Sequence, residues 1–404
     1  MLYNSRVLLY NEANEVIPMK KRILALLVLC CAGLTACGTS GKADTPADTE
    51  TPAPPAAEQP APTEAEVRRA AAEQYADGLT LEEQTAQMFF VRCPETDAAA
   101  LTAEYDIGGY LLFGRDFDGQ TPETITNTIA SYQNAAKTPM LIGVDEEGGT
   151  VVRVSSNPAF RAAKFRSPQA LYDEGGLDRI VSDTAEKDAL LDSLGINVNF
   201  APVCDVSTDP NDFIYARSFG REAEQTSEYV RMVQQMVRDK TGMVLKHFPG
   251  YGNNADTHTG IAIDERSMDS FRQSDFLPFE AGIEAGAQSV LVSHNVVTCM
   301  DADHPASLSA EVHRVLRDTL GFDGVILTDD LIMDAIRDYT GGENAAVLAV
   351  QAGNDMLTSS DFLTQYNAVL AAVRDGRIAK SAIREAAVRV IDWKMQLGLI
   401  AYDA

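Results

Sequence analysis

The chain has 404 residues, 45% of them hydrophobic, and carries 59 Asp and Glu against 33 Lys and Arg for a formal net charge of −26. That acidity excludes a surface built for nucleic acid, whose phosphates require a basic patch, and it excludes attachment to anionic lipid headgroups by charge. Length and apolar fraction suffice for one large domain or two ordinary ones, which leaves an acidic enzyme, a binding protein, or a domain tethered to a membrane by other means.

In chain order, Lys20, Lys21 and Arg22 precede an apolar run over 23–34 that ends in Leu34-Thr35-Ala36-Cys37. The run is too short for a spanning helix, which needs about 20 residues. A basic start, a short apolar stretch and small residues before a Cys resemble a bacterial lipoprotein signal. That resemblance implies lipidation of Cys37, removal of residues 1–36 and membrane attachment through acyl chains, with Met19 a more natural start than Met1. Residues 1–36 hold Arg6, Lys20, Lys21 and Arg22 against Glu12 and Glu15, so the remainder carries 29 basic and 57 acidic residues, a formal charge of −28. Beyond Cys37 only Cys93, Cys204 and Cys299 remain. This is no disulfide scaffold, and stability must come from a sizeable core.

Residues 38–67 contain six Pro and six acidic residues, with Val67 the one bulky aliphatic. Such a segment cannot bury enough apolar surface to offset the entropy of ordering it. We read 37–67 as a lipidated Cys and a stalk, which at about 3.1 Å per residue in a polyproline-like state reaches several tens of ångströms.

From 68 to 404 short apolar runs alternate with helical ones. The runs cover 88–92, 109–113, 140–144, 198–203, 243–246, 289–292, 324–327 and 355–357, and several are apolar throughout, as strands buried on both faces should be. Amphipathic stretches such as 222–240, 310–320 and 344–352 lie between them. Eight strand-helix units with right-handed crossovers predict an α/β fold, a single (β/α)8 TIM-barrel-like domain, with an open doubly wound sheet as the competitor. Polar residues decide between them. Asp145, Asp205, Lys246 with His247, His294 and Asp329 each follow a different strand, which is the catalytic rim of a barrel, whereas an open sheet concentrates its ligands at one switch point.

Two segments carry chemistry. In the first, Lys246-His247-Phe248-Pro249-Gly250 leads into a loop holding Asp256-Thr257-His258. An Asp two residues from a His can orient its ring and tune a group that titrates near neutrality, but the pair alone is a weak signal and a structural loop hydrogen bond accounts for it more readily. His247 and His258 lack a third ligand at zinc spacing, so no metal is expected. In the second, Val325-Ile326-Leu327-Thr328 ends in Asp329-Asp330. A carboxylate leaving a buried strand can attack a sugar's anomeric carbon, and it can also cap a helix.

Together with Gly108-Gly109, Asp145-Glu146-Glu147-Gly148-Gly149, Arg153, the 199–205 segment and Arg217-Ser218-Phe219-Gly220, these segments resemble glycoside hydrolase family 3, in its β-N-acetylhexosaminidase branch. The resemblance implies a retaining exo-β-N-acetylglucosaminidase that removes terminal β-linked N-acetylglucosamine from peptidoglycan fragments or related glycans. It implies Asp329 as nucleophile, His258 as general acid/base, and Asp256 as the group that orients and tunes His258. It places Asp145, Arg217, Lys246 and His247 on the sugar, and leaves Asp205 and His294 as supports. A His acid has a physical merit, because once its proton is donated it is neutral and does not repel an incoming anion. No cofactor is implied. A phosphorylase of the same branch and a catalytically inactive sugar-binding lipoprotein are the alternatives. Two departures from the family pattern, Tyr251 where His is frequent and Thr150 where Arg is frequent, are expected to alter loop packing or aglycone contacts. The chain ends shortly after the barrel, which favours the His-loop branch.

Overall fold

The structure, a computed structural model, describes residues 61–237, 241–254, 260, 262–333, 336, 339–340 and 342–403. Its strands are β1 (Phe89–Arg92), β2 (Gly109–Leu112), β3 (Leu141–Val144), β4 (Val198–Asn199), β5 (Gly242–Phe248), β6 (Ile263–Asp264), β7 (Ser289–Val292), β8 (Val296–Val297), β9 (Val325–Thr328) and β10 (Leu357–Ser359). Eight of them form one sheet in the order β10-β1-β2-β3-β4-β5-β7-β9, parallel at each pairing. A parallel Leu327–Met356 bridge joins the two ends of that order, and the closure removes the open-sheet alternative.

Side-chain alternation fills the barrel. Phe90, Leu111, Leu141, Val198, Val244, Leu291 and Val325 form one buried cluster inside it. Phe89, Val91, Tyr110, Leu112, Ile142 and Val144 belong to a separate cluster shared with the outer helices. The Phe90 and Phe200 rings meet edge to face with centroids 5.2 Å apart. Gly143 makes room for them, since a Cβ there would lie 2.8 Å from Phe90 and 2.9 Å from Phe200. At the opposite end from the catalytic rim, Trp393 on the helix Lys380–Gln396 packs into the same cluster, and its indole N–H donates to Gln288 at 2.8 Å.

The same alternation aims the next inward position on each strand at the barrel mouth. Arg92 follows Phe90, Phe113 follows Leu111, Asp145 follows Gly143, Lys246 follows Val244 and Asp329 follows Leu327. On β5 a register shift against β7 falls between Leu245 and Phe248. Irregularities of this kind re-aim side chains, and both Lys246 and His247 make polar contacts at the rim.

Two expectations, on the fourth strand and on the stalk, need correcting. The fourth strand is two residues long rather than the run 198–203, with only a Val203–Lys246 bridge beyond it. Pro202 has no N–H for the ladder. The short parallel pair of β6 with β8 stands apart from the barrel, and two-residue strands offer no periodicity to read. The stalk expected through residue 67 overlaps the helix Glu64–Asp77, where Thr63 and Glu66 form a reciprocal capping box. That helix packs Ala72 and Ala76 against Ala387, Val388 and Ile391. Cys93, Cys204 and Cys299 are free thiols.

Candidate active site

The Asp-Glu-Glu run after β3 divides into three jobs. Asp145 accepts from the Lys246 ammonium at 2.7 Å and lies 3.6 Å from Arg153. Glu146 is fully buried and accepts the backbone N–H groups of Arg153 at 2.8 Å and Val154 at 2.7 Å, which folds that loop back over the rim. Glu147 receives Lys246 at 2.5 Å and a two-pronged contact from Arg217 at 3.0 and 2.8 Å. The turn that permits this uses Gly148 at φ +102° and Gly149 at φ +68°. A Cβ on Gly148 would sit 2.3 Å from the Arg166 carbonyl oxygen, so only glycine fits.

Lys246 and Glu147 are nearly fully buried, their side chains 3% and 2% exposed, and Arg217 is mostly buried. Burial alone would push the Glu147 carboxyl up, but the charges of Lys246 and Arg217 outweigh it and hold it down at about 2. The three groups form a buried two-cation, one-anion cluster whose second carboxylate is Asp145.

His247 is locked beside them. Its Nδ1 lies 2.8 Å from Asp205 and its Nε2 lies 3.1 Å from Arg217 Nη2. A carboxylate and a guanidinium on opposite sides assign the tautomer: Nδ1–H donates to Asp205 and Nε2 accepts from Arg217. Asp205 also accepts the backbone N–H groups of His247 at 3.1 Å and Tyr251 at 2.7 Å. It anchors the start of the Lys-His-Phe-Pro-Gly loop, a supporting position. Tyr251 is buried with its ring edge-on to His247 at 5.1 Å and packs with Val203 and Ile214.

Across the rim, Asp329 is half-buried, and its Oδ1 accepts the Asp330 N–H at 2.8 Å. Asp330 is spoken for. Its carboxylate accepts the Ile332 and Ser360 N–H groups at 3.2 Å each and the Ser360 hydroxyl, and burial pushes its pKa up. His294 is fully buried; its Nε2–H donates to the Asp330 carbonyl at 3.1 Å while Nδ1 accepts from the Ser307 hydroxyl at 2.7 Å. It braces the backbone behind Asp329.

The loop after β5 is gripped at its leading part. Asn254 donates to Asp264 at 2.7 Å, and Arg266 donates to the Gly250 carbonyl at 3.2 Å while pairing with Asp264 at 2.7 Å and Asp275 at 2.9 Å. Burial pushes Asp275 up to about 6 despite Arg266. Asp256 and His258 lie outside the described residues, as does Cys37. Among the described residues no three His, Cys, Asp or Glu side chains gather as a metal site.

The structure thus brings Asp145, Lys246, His247 and Arg217 into one hydrogen-bonded group and puts Asp329 on the same rim. Such a group combines fixed donors with carboxylate acceptors in a buried setting, a chemistry suited to vicinal hydroxyls. Glu147 also belongs to it, a membership that the sequence does not reveal, because a run of three acids does not say which way each points.

The chain is similar to proteins of known family. β-Hexosaminidase LpqI of Mycobacterium tuberculosis is 31% identical over 399 residues, covering 92% of this chain and 97% of that protein. A β-hexosaminidase of Nitrosomonas eutropha is 31% identical over 303 residues, covering 70% of this chain and 84% of its own. A solved glycoside hydrolase family 3 β-N-acetylglucosaminidase from Paenibacillus sp. str. FPU-7 superposes with a TM-score of 0.74 at 29% identity, over 81% of this chain and 64% of the longer partner. The glycosyl hydrolase family 3 N terminal domain matches residues 80–393, a span that contains every barrel strand; the chain therefore belongs to glycosyl hydrolase family 3 and is a glycoside hydrolase.

Proposed function

We propose that the enzyme is a retaining exo-β-N-acetylglucosaminidase that releases terminal β-linked N-acetylglucosamine from peptidoglycan fragments or related glycans. The observation that carries this reading is the nearly end-to-end similarity to a β-hexosaminidase, 31% over 399 residues. In the proposed reaction the Asp329 carboxylate attacks the anomeric carbon as the glycosidic C–O bond breaks, and the departing oxygen takes a proton from His258. The neutral His258 then removes a proton from water, whose oxygen attacks the same carbon and frees Asp329. Asp256 orients His258, and Asp145, Lys246, His247 and Arg217 hold the sugar. The restraint of Asp330 by Ser360 supports Asp329, rather than its neighbour, as nucleophile.

The proposal includes residues 1–36 as a removed lipoprotein signal, Cys37 as the lipidated residue and the segment after it as a stalk, so that the catalytic domain works outside the cytoplasm on a membrane anchor. Acyl chains supply the attachment, which an acidic surface could not.

Paired aryl substrates test the specificity. Expected is a kcat/KM for the β-N-acetylglucosaminide on the order of 100-fold or more above that for the β-glucoside; equal values would sink the acetamidosugar reading. For His258→Ala the expected loss is about 10²–10⁴-fold with poor leaving groups and much smaller with activated ones. A loss independent of the leaving group argues against acid catalysis by His258.

A further inference from the structure

Arg92 is the exception among the partly buried arginines. Arg217, Arg266, Arg317 and Arg389 each pair with a carboxylate. Arg92 makes no ion pair with any described residue, and its Nε, like those of Arg153 and Arg389, is buried without a hydrogen-bond partner. Scarcity of acids is not the reason in a chain with 59 of them. Its guanidinium lies over the Phe113 ring, 4.6 Å from the centroid, and the Arg153 guanidinium lies 5.5 Å from the same centroid. Two like charges therefore share one aromatic support. The carboxylates near them are already engaged: Asp145 is shared between Arg153 and Lys246, and Asp116 accepts the Phe113 N–H at 2.6 Å. Arg153 is 29% exposed against 3% for Lys246, which sets this pair nearer to solvent than the cluster on Glu147.

Resting on the proposed function above, we propose that Arg92, with Arg153 and Phe113, forms a subsite for a carboxylate carried by the sugar adjoining the cleaved N-acetylglucosamine. Arg92 is then a specificity-determining residue that favours acidic glycans. A guanidinium held over a ring loses little freedom on binding. A carboxylate seated there would pair with a guanidinium that has no ion-pair partner among the described residues and offset the repulsion between the two cations.

The test compares two disaccharides with the purified enzyme. Both carry terminal β-linked N-acetylglucosamine on an acidic sugar, with the carboxylate free in one and converted to its methyl amide in the other. Wild type should show a kcat/KM ratio of acid to amide of about tenfold or more. In Arg92→Ala the ratio should fall to about one, and in Arg92→Lys it should be intermediate. The ratio within one preparation does not depend on the folded fraction. A wild-type ratio near one, or a ratio retained in Arg92→Ala, overturns the subsite. Formation of N-acetylglucosamine 1-phosphate from added inorganic phosphate, lost in Arg92→Ala, reassigns the site to phosphate and overturns the carboxylate. If an aryl β-N-acetylglucosaminide is cleaved and only the ratio fails, the subsite alone is wrong. If no β-N-acetylglucosaminide is cleaved, the proposed function falls and takes this inference with it.

Discussion

Asp329→Ala is expected to lower kcat on an aryl β-N-acetylglucosaminide by on the order of 10⁴-fold or more, the scale seen when a covalent catalyst loses its nucleophile. The fold should survive. The strand beneath is buried and paired on both sides through Val325–Thr328, and His294 holds the following backbone through the Asp330 carbonyl. Asp330→Ala makes the useful contrast. It removes the acceptor of Ser360 and Ile332, so its main effect should be a lower melting temperature. Near wild-type turnover in Asp329→Ala, or a greater activity loss in Asp330→Ala than in Asp329→Ala, would transfer the nucleophile assignment.

The largest stability effect is expected at Glu147. Glu147→Gln leaves Lys246 and Arg217 buried with Asp145 as their remaining carboxylate, and breaking a buried charge cluster from one side costs about 3–5 kcal/mol. The cost should depend on pH in a defined direction. Glu147 has a folded pKa of about 2 against an ordinary 4.5, so its contribution is fully present above about pH 4.5 and is lost as pH falls toward 2. Melting curves of wild type and variant should therefore be farthest apart near neutrality and converge on acidification. A gap that stays constant across that window would mean that the charge of Glu147 does not carry the effect. Activity should also fall, since Lys246 and Arg217 take their positions from this carboxylate.

Much of the barrel could be read from residue order because parallel strands buried on both faces leave continuous apolar runs, and the residue just past each run lands on the rim. That logic located Asp145, Lys246, His247 and Asp329 without reference to three-dimensional contacts. It failed where direction depends on a turn. Glu146 and Glu147 look equivalent in the chain, yet the paired glycines after them send one to backbone N–H groups and the other to buried cations. It failed also where the partner is remote. Arg266 grips the loop after β5 through Asp264 and Asp275, and a sequence shows none of these pairings. In the sequence Arg92 is merely the end of a strand, because its lack of an ion pair with any described residue is visible only once the neighbours are placed. The capping residue Thr63 was legible in principle, but the proline-rich composition before it masked the helix start.

Covalent trapping would identify the nucleophile outright. A fluorinated N-acetylglucosaminyl substrate with an activated leaving group slows the second step more than the first, so the glycosyl-enzyme accumulates and can be digested and sequenced by mass spectrometry. One label per chain is expected, ester-linked to Asp329 and absent from Asp329→Ala. A label on any other residue, or undiminished labelling of the variant, would contradict it.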